Sequence, residues 1–211
     1  MRAPAGSRGL RTGALVADAG LVVLVVCGLI ARDGTVGSVE RSVFRALNEL
    51  PEWLEPPLWV FQQLGNIVVA LVVVLALAAL LRNRRLALAA VLGVVAKLAL
   101  ERVVKAVVER RRPGTSLGDI VARGDVALDG LSFPSGHAVI TTAFAVALTA
   151  ALPGLWRAVP WVVVALNGLG RIYVGAHNPL DVVAGCGLGL VIGGGLYALV
   201  AASEVEVEGH R

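Results

Sequence analysis

The chain is 211 residues long, 57% hydrophobic and only 16% charged, with a mean hydropathy of +0.80. These values exclude an ordinary soluble domain and point to an integral membrane protein, and its long apolar runs predict an all-α polytopic membrane helix bundle. The formal charge of +4 does not indicate nucleic acid: no basic helix is interleaved with aromatics, and the arginines fall between apolar runs, where topology alone places them.

Residues 1–13 carry Arg2, Arg8 and Arg11 and lead into an apolar run from Ala14 to Ala31. No small-x-small cleavage site follows, and the run is long for a signal peptide, so a first membrane span is expected. Asp18, near its basic end, is expected to snorkel or cap. Arg32 to Pro56 is polar. Val39, Val43 and Leu47 recur there at helical spacing, with Glu40, Arg41 and Arg45 between them, which predicts a short interfacial helix. Trp53 and Trp59 read as interface anchors. A second span is expected over Pro57 to Leu81, ending in Arg82, Arg84 and Arg85. A third run begins at Leu86, is apolar to Ala96 and is mixed through Lys105.

The loop from Gly114 to Pro134 has little periodicity, and loops of that length are usually functional or disordered. The fourth span starts at Gly136 and fades at Pro153. The fifth runs from Trp156 to about Val174, and the sixth from Pro179 to Ala202. Gly185, Gly189 and Gly193 repeat every four residues in the sixth, a small-residue face for close helix packing. The expected organisation is a six-span domain over residues 14–202, between the basic terminus and an acidic tail at 203–211. Cys27 and Cys186 both lie within apolar runs, so neither a disulfide nor a zinc site is expected.

A cytoplasmic N-terminus places Arg2, Arg8, Arg11, Arg82, Arg84, Arg85 and Arg157 inside, as membrane proteins prefer. It leaves Arg102, Lys105, Arg110, Arg111, Arg112 and Arg123 on the other side, and anion binding would explain that excess. The parity of the spans brings three polar segments to this outer face. In the first, Lys105 and Arg112 are two helical turns apart and would grip one anion from a shared helix face, with Pro113 ending the helix. The same residues also fit a charge ladder with Glu101 and Glu109. In the second, Phe133 to His137, Ser135 is expected to cap the fourth span. Gly136 would let an anion approach the free N–H groups, with His137 beside it as proton donor. A plain cap with an incidental histidine is the alternative. In the third, Gly170 to Asp181, Asp181 would hold one nitrogen of His177 and leave the other free for attack, while Arg171 holds the phosphate. Asn178 and Asp181 also fit a modified capping box. Two histidines and one carboxylate among cations make a poor divalent-metal site, so no metal or cofactor is expected.

At these residues the chain resembles the type 2 phosphatidic acid phosphatase superfamily, membrane lipid-phosphate phosphatases related in active site to the vanadium haloperoxidases. The family patterns K-x6-R-P, P-S-G-H and S-R-x5-H-x3-D match Lys105 to Pro113, Pro134 to His137, and Arg171, His177 and Asp181. The resemblance implies six spans and a phosphohistidine on His177, oriented by Asp181. It also implies that His137 acts as acid and then base, and that Lys105, Arg112, Ser135, Gly136 and Arg171 bind the phosphate of a membrane lipid. Gly170 departs from the pattern, standing where the family has Ser. Arg110, Arg111 and Arg123 lie outside it and are expected to be solvated or to meet headgroups. By analogy with the family, a small six-span chain fits the recycling of an isoprenoid diphosphate such as undecaprenyl diphosphate, with phosphatidic acid and phosphatidylglycerophosphate as alternatives. The expected location is the plasma (inner) membrane with both termini cytoplasmic. Transfer of the phosphoryl group to an alcohol shares the first half-reaction. A transporter or scaffold is the non-enzymatic reading, resting on Asp18 and on Lys97, which Glu101 would pair.

Overall fold

In the computed structural model, residues 5–201 are described, and side chains from Arg8 onward. Residues 1–4 and the acidic tail at 203–211 lie outside the described residues. Nine α-helices are described: α1 (Ala5–Ala31), α2 (Ser38–Asn48), α3 (Glu55–Gln63), α4 (Ile67–Leu80), α5 (Arg84–Val108), α6 (Pro113–Ser116), α7 (Gly136–Ala151), α8 (Val159–Tyr173) and α9 (Pro179–Ala201). The described residues contain no strand, only an isolated bridge between Arg111 and Leu131. Helix α1 starts ahead of the apolar run, so Arg8 and Arg11 ride on its first turns. Asp18 lies exposed in mid-helix and caps nothing.

Helix α9 is the spine, and its glycines explain why. On one face Gly185, Gly189 and Gly193 meet Ala138, Thr142 and Val146 of α7, as their four-residue spacing predicts. On another, Gly187 and Gly194 meet Gly20 and Gly13 of α1. Small residues on both sides let three backbones approach closely, which is how helices associate where water gives no hydrophobic drive. Helix α7 is buried along nearly its whole length, sealed by Leu86, Ala89 and Ala90 of α5 and Val74 and Ala78 of α4.

The second apolar run is not one straight helix. Segments Glu52–Gln63 and Ile67–Leu80 are bent by 64°. Asn66 caps the new helix, accepting from Val68 N at 3.0 Å and Val69 N at 3.4 Å. Asn167 of α8, fully buried, donates to Phe61 O at 2.9 Å and so satisfies a carbonyl at the end of α3. Gly65 occupies the corner because any side chain there would strike His137 and Asn167. Hydropathy alone cannot show such a break, since both arms are equally apolar.

By length and composition, Arg8–Ala31 and α9 are able to cross a membrane, and the bent pair makes a third crossing if counted as one span. Helix α2 forms where its periodicity predicts, yet it turns Phe44 and Asn48 inward and leaves Val39 and Val43 exposed. The long loop is stitched down: Asn48 donates to Val121 O and accepts from Val121 N, both at 2.8 Å, pairing like a strand.

A Cβ on Gly194 would collide with the Gly13 carbonyl, whereas one on Gly195 meets nothing within 4 Å. Gly194→Val is therefore expected to destabilise the protein by about 1–3 kcal/mol, and Gly195→Ala to be neutral or slightly stabilising. Thermal unfolding in detergent checks the contrast.

Candidate active site

The left-handed turn that ends α5 comes first. Glu109 has φ +47°, the helix stops at Val108, and Arg112 is extended (φ −67°, ψ 159°). Lys105 and Arg112 therefore do not share a helix face. They converge because the chain folds back, and Arg112 Nη1 donates to Ala176 O at 2.9 Å, tying it to the α8–α9 loop.

That loop is held on α8 by backbone bonds from Ala176 N (3.1 Å) and His177 N (3.2 Å) to Arg171 O. It presents His177, which is 3% exposed. Asp181, at the third position of α9, has no exposure at all. Its Oδ2 accepts from Asn178 N at 2.8 Å, the backward half of the capping box. His177 Nδ1 stands 3.8 Å from the same oxygen, too far for a hydrogen bond, and has no other partner.

The other carboxylate oxygen explains Arg110, which is fully buried rather than solvated. Arg110 Nη1 donates to Asp181 Oδ1 at 3.1 Å and to Glu40 Oε1 at 3.0 Å, and Nη2 to Glu40 Oε2 at 2.5 Å and Thr35 O at 3.0 Å. Arg123 is buried too. It donates to Asn48 O (2.7 Å), Tyr173 O (2.8 Å) and Leu50 O (3.2 Å) and lies 4.0 Å over the Tyr173 ring. Of the three arginines expected to be solvated, only Arg111 is exposed. A buried guanidinium has five donors to satisfy, and these carbonyls and carboxylates come from far along the chain.

Ser135 occupies the N-cap position of α7 but makes no cap bond; its hydroxyl is buried without a partner. Its backbone N donates to Asp181 O at 2.9 Å, docking the start of α7 on α9. Gly136 follows, and a Cβ there would sit 2.7 Å from Glu101 Oε1. Glu101 bridges Lys97 (2.6 Å) and Lys105 (2.7 Å).

Lys105, Arg112, Gly136, His137, Arg171 and His177 thus line one cavity of about 340 Å³, with Lys97, Glu101 and the α3–α4 corner completing it. Ser135 and Asp181 lie behind this lining rather than in it. A second cavity of about 270 Å³ touches His137 and Arg171 from the side of Glu55, Gln63 and Asp125.

Gln62 went unread in the sequence. Its Oε1 accepts from Arg171 Nη1 at 2.9 Å, and a Cβ on Gly170 would lie 2.9 Å from Gln62 Cγ. The place where the family carries a Ser side chain is filled by Gln62. Polar residues inside an otherwise apolar run (Gln62, Asn66, Asn167) were the available signal.

Burial pushes the His177 imidazole down to about 4, with Arg171 adding to the effect and Asp181 opposing it. A lowered value means the neutral ring, with a lone pair free to attack, prevails at neutral pH. In histidine-labelled protein, NMR is expected to show His177 still neutral at pH 5.5, its signals assigned through His177→Gln. Titration near 6.5 would contradict the buried placement.

Residues 68–204 match the model of the PAP2 superfamily. The chain is 33% identical over 108 residues to the undecaprenyl-diphosphatase of Sulfolobus acidocaldarius, covering 51% of this chain and 52% of that one. It is 38% identical over 117 residues to the decaprenylphosphoryl-5-phosphoribose phosphatase of Mycobacterium tuberculosis, covering 54% and 62%. The chain thus spans only about half to three-fifths of the length of these relatives. Among solved structures, LpxE of Aquifex aeolicus superposes with TM-score 0.67 at 24% identity, covering 74% of this chain and 93% of that one. The PAP2 type phosphatidylglycerolphosphate phosphatase of Bacillus subtilis gives 0.64 at 24%, covering 90% and 98%. These two establish a shared fold. With the family model covering well over half of its length, the chain belongs to the PAP2 superfamily.

Proposed function

We propose that the protein is a metal-independent phosphatase of membrane lipid phosphates or diphosphates, working through a phosphohistidine. The observation that carries this reading is the convergence of three cationic side chains, a helix N-terminus and two histidines on one cavity, with a buried carboxylate behind one of the histidines. Cations without clustered carboxylates suit an anionic substrate.

Lys105, Arg112, Arg171 and the Gly136 N–H would hold the equatorial phosphate oxygens. His177 attacks phosphorus through Nε2 as the bond to the leaving oxygen breaks, and His137 delivers its proton to that oxygen. Water then attacks the phosphohistidine, His137 takes its proton, and phosphate departs. As charge grows on the His177 ring, Asp181 closes the 3.8 Å gap, while Arg110 and Asn178 N keep it in place. Asp181, Arg110 and Gln62 are positioning residues. The Ser135 hydroxyl, buried without a partner just behind the cavity lining, would be an additional phosphate contact if the site adjusts around the substrate.

The names of the two relatives favour a polyprenyl carrier, and undecaprenyl diphosphate is our leading substrate over phosphatidic acid and phosphatidylglycerophosphate. In the membrane we read six spans: α1, the bent α3–α4 pair, α5, α7, α8 and α9. Helices α7 and α8, of 16 and 15 residues, are shorter than the ~20 that cross a bilayer, so the site would be recessed below the headgroups. Arg82, Arg84, Arg85 and Arg157 gather at the opposite helix ends, which supports a cytoplasmic N-terminus and an outward-facing site.

In chelator, the purified protein is expected to release phosphate from undecaprenyl diphosphate and to lose on the order of 10³-fold or more as His177→Ala. Acid-labile [32P]phosphoenzyme should be trapped from the wild type and absent from the variant. Full activity in His177→Ala would end the mechanism. Gly170→Ser alone is expected to lower kcat/KM because the side chain meets Gln62. Combined with Gln62→Ala it should recover relative to either single change, a sign reversal that independent sites would not give.

A further inference from the structure

Lys97 is the charged group that the mechanism leaves unused. It is 8% exposed on α5, two turns before Lys105, in an otherwise apolar stretch. Intramembrane lysines are costly and mark function by default. Glu101 pairs with it but compensates its charge only in part, because the second oxygen of that carboxylate holds Lys105. One carboxylate therefore serves two ammonium groups.

The charge around the cavity is telling. Lys97, Lys105, Arg112 and Arg171 face it with Glu101 alone opposing them, a formal excess of three positive charges. A phosphomonoester brings roughly −1.5 to −2, and a diphosphate about one more. Position agrees with charge. Glu101 lies against Gly136, the neighbour of His137, and Lys97 sits one turn earlier on α5, in a cavity that Ile67 and Val68 at the start of α4 also line. A lipid chain running from the site toward the apolar start of α4 would pass Lys97. A monophosphate ester would put an uncharged carbon chain against a buried ammonium there, whereas a diphosphate would put its second phosphate there.

We infer that Lys97 binds the lipid-side phosphate of a diphosphate substrate and makes the site selective for lipid diphosphates over lipid monophosphates. This rests on the phosphatase reading above. His177 attacks the terminal phosphorus, the bond to the bridging oxygen breaks, and His137 protonates that oxygen. The lipid monophosphate then leaves with its negative charge neutralised by Lys97. Lys97 touches the leaving group, not the transferred one.

The test compares kcat/KM for farnesyl diphosphate and farnesyl phosphate in detergent with chelator. In Lys97→Met and Lys97→Gln the diphosphate-to-monophosphate ratio is expected to fall about tenfold or more, and Lys97→Arg should retain most of it. A general loss of packing would lower both rates together and leave the ratio unchanged. That result, in whichever of the two neutral variants folds as judged by gel filtration and thermal unfolding, overturns the inference. Calorimetric titration with inorganic diphosphate and inorganic phosphate gives a second reading that needs no turnover. Lys97→Gln should lose affinity for diphosphate selectively, and equal losses would again count against Lys97. Should the wild type hydrolyse neither lipid, the phosphatase reading fails, and the titration alone judges Lys97.

Discussion

The structure depends most on a buried guanidinium. Arg110 joins Glu40 of α2 to Asp181 of α9, and Glu40 also accepts from Leu180 N at 2.9 Å, capping α9. Removing one partner of such a network leaves an uncompensated buried charge, typically at a cost of about 3–5 kcal/mol. The network therefore fixes where the α9 N-terminus sits relative to the segment that follows α5. That relation brings Arg112 to the α8–α9 loop and sets Asp181 behind His177. Asp181 is held by Arg110 and by Asn178 N, so the position of the carboxylate behind His177 follows from contacts reaching back to α2.

A second constraint acts from the opposite side. The α3–α4 bend pushes Gly65 against His137 and delivers Gln62 to Arg171. An unbroken helix over this run would leave both groups without neighbours there. The departure from the family pattern at Gly170 becomes intelligible in this light. At Gly170 the space a side chain would take is occupied by the Gln62 side chain from another helix, whose amide oxygen holds Arg171 directly. A missing side chain at a family position need not be a lost interaction when a distant residue takes the space.

The third element is the charged seam on α5. Lys97, Glu101 and Lys105 follow one another at four-residue spacing on a helix that is otherwise apolar from Leu86 to Val108 except for Arg102. Alternating charges can persist in a low-dielectric setting because each is partnered. The odd number leaves a positive excess aimed at the cavity. Close-packed glycine faces on α9 hold the surrounding helices near enough for that excess to act on one small volume.

From the sequence alone came the helical class, most helix positions, a small-residue packing face on α9, and the three polar segments that meet around the site. Each rests on local information: hydropathy, spacing, a cap residue, and the parity of the spans. The motif residues meet around a single cavity, yet the reason given for Lys105 and Arg112 was incorrect, because a left-handed Glu109 ends the helix between them. Tertiary structure alone decided the burial of Arg110 and Arg123, the break at Gly65, the free Ser135 hydroxyl and the role of Gln62. The physical cause is common to all of these. In a membrane chain both faces of a helix are apolar, so periodicity does not tell inside from lipid, and a lone polar residue reveals nothing until its partner is known. Those partners lie far off, 70 residues from Arg110 to Glu40 and 109 from Arg171 to Gln62. Only folding brings them together.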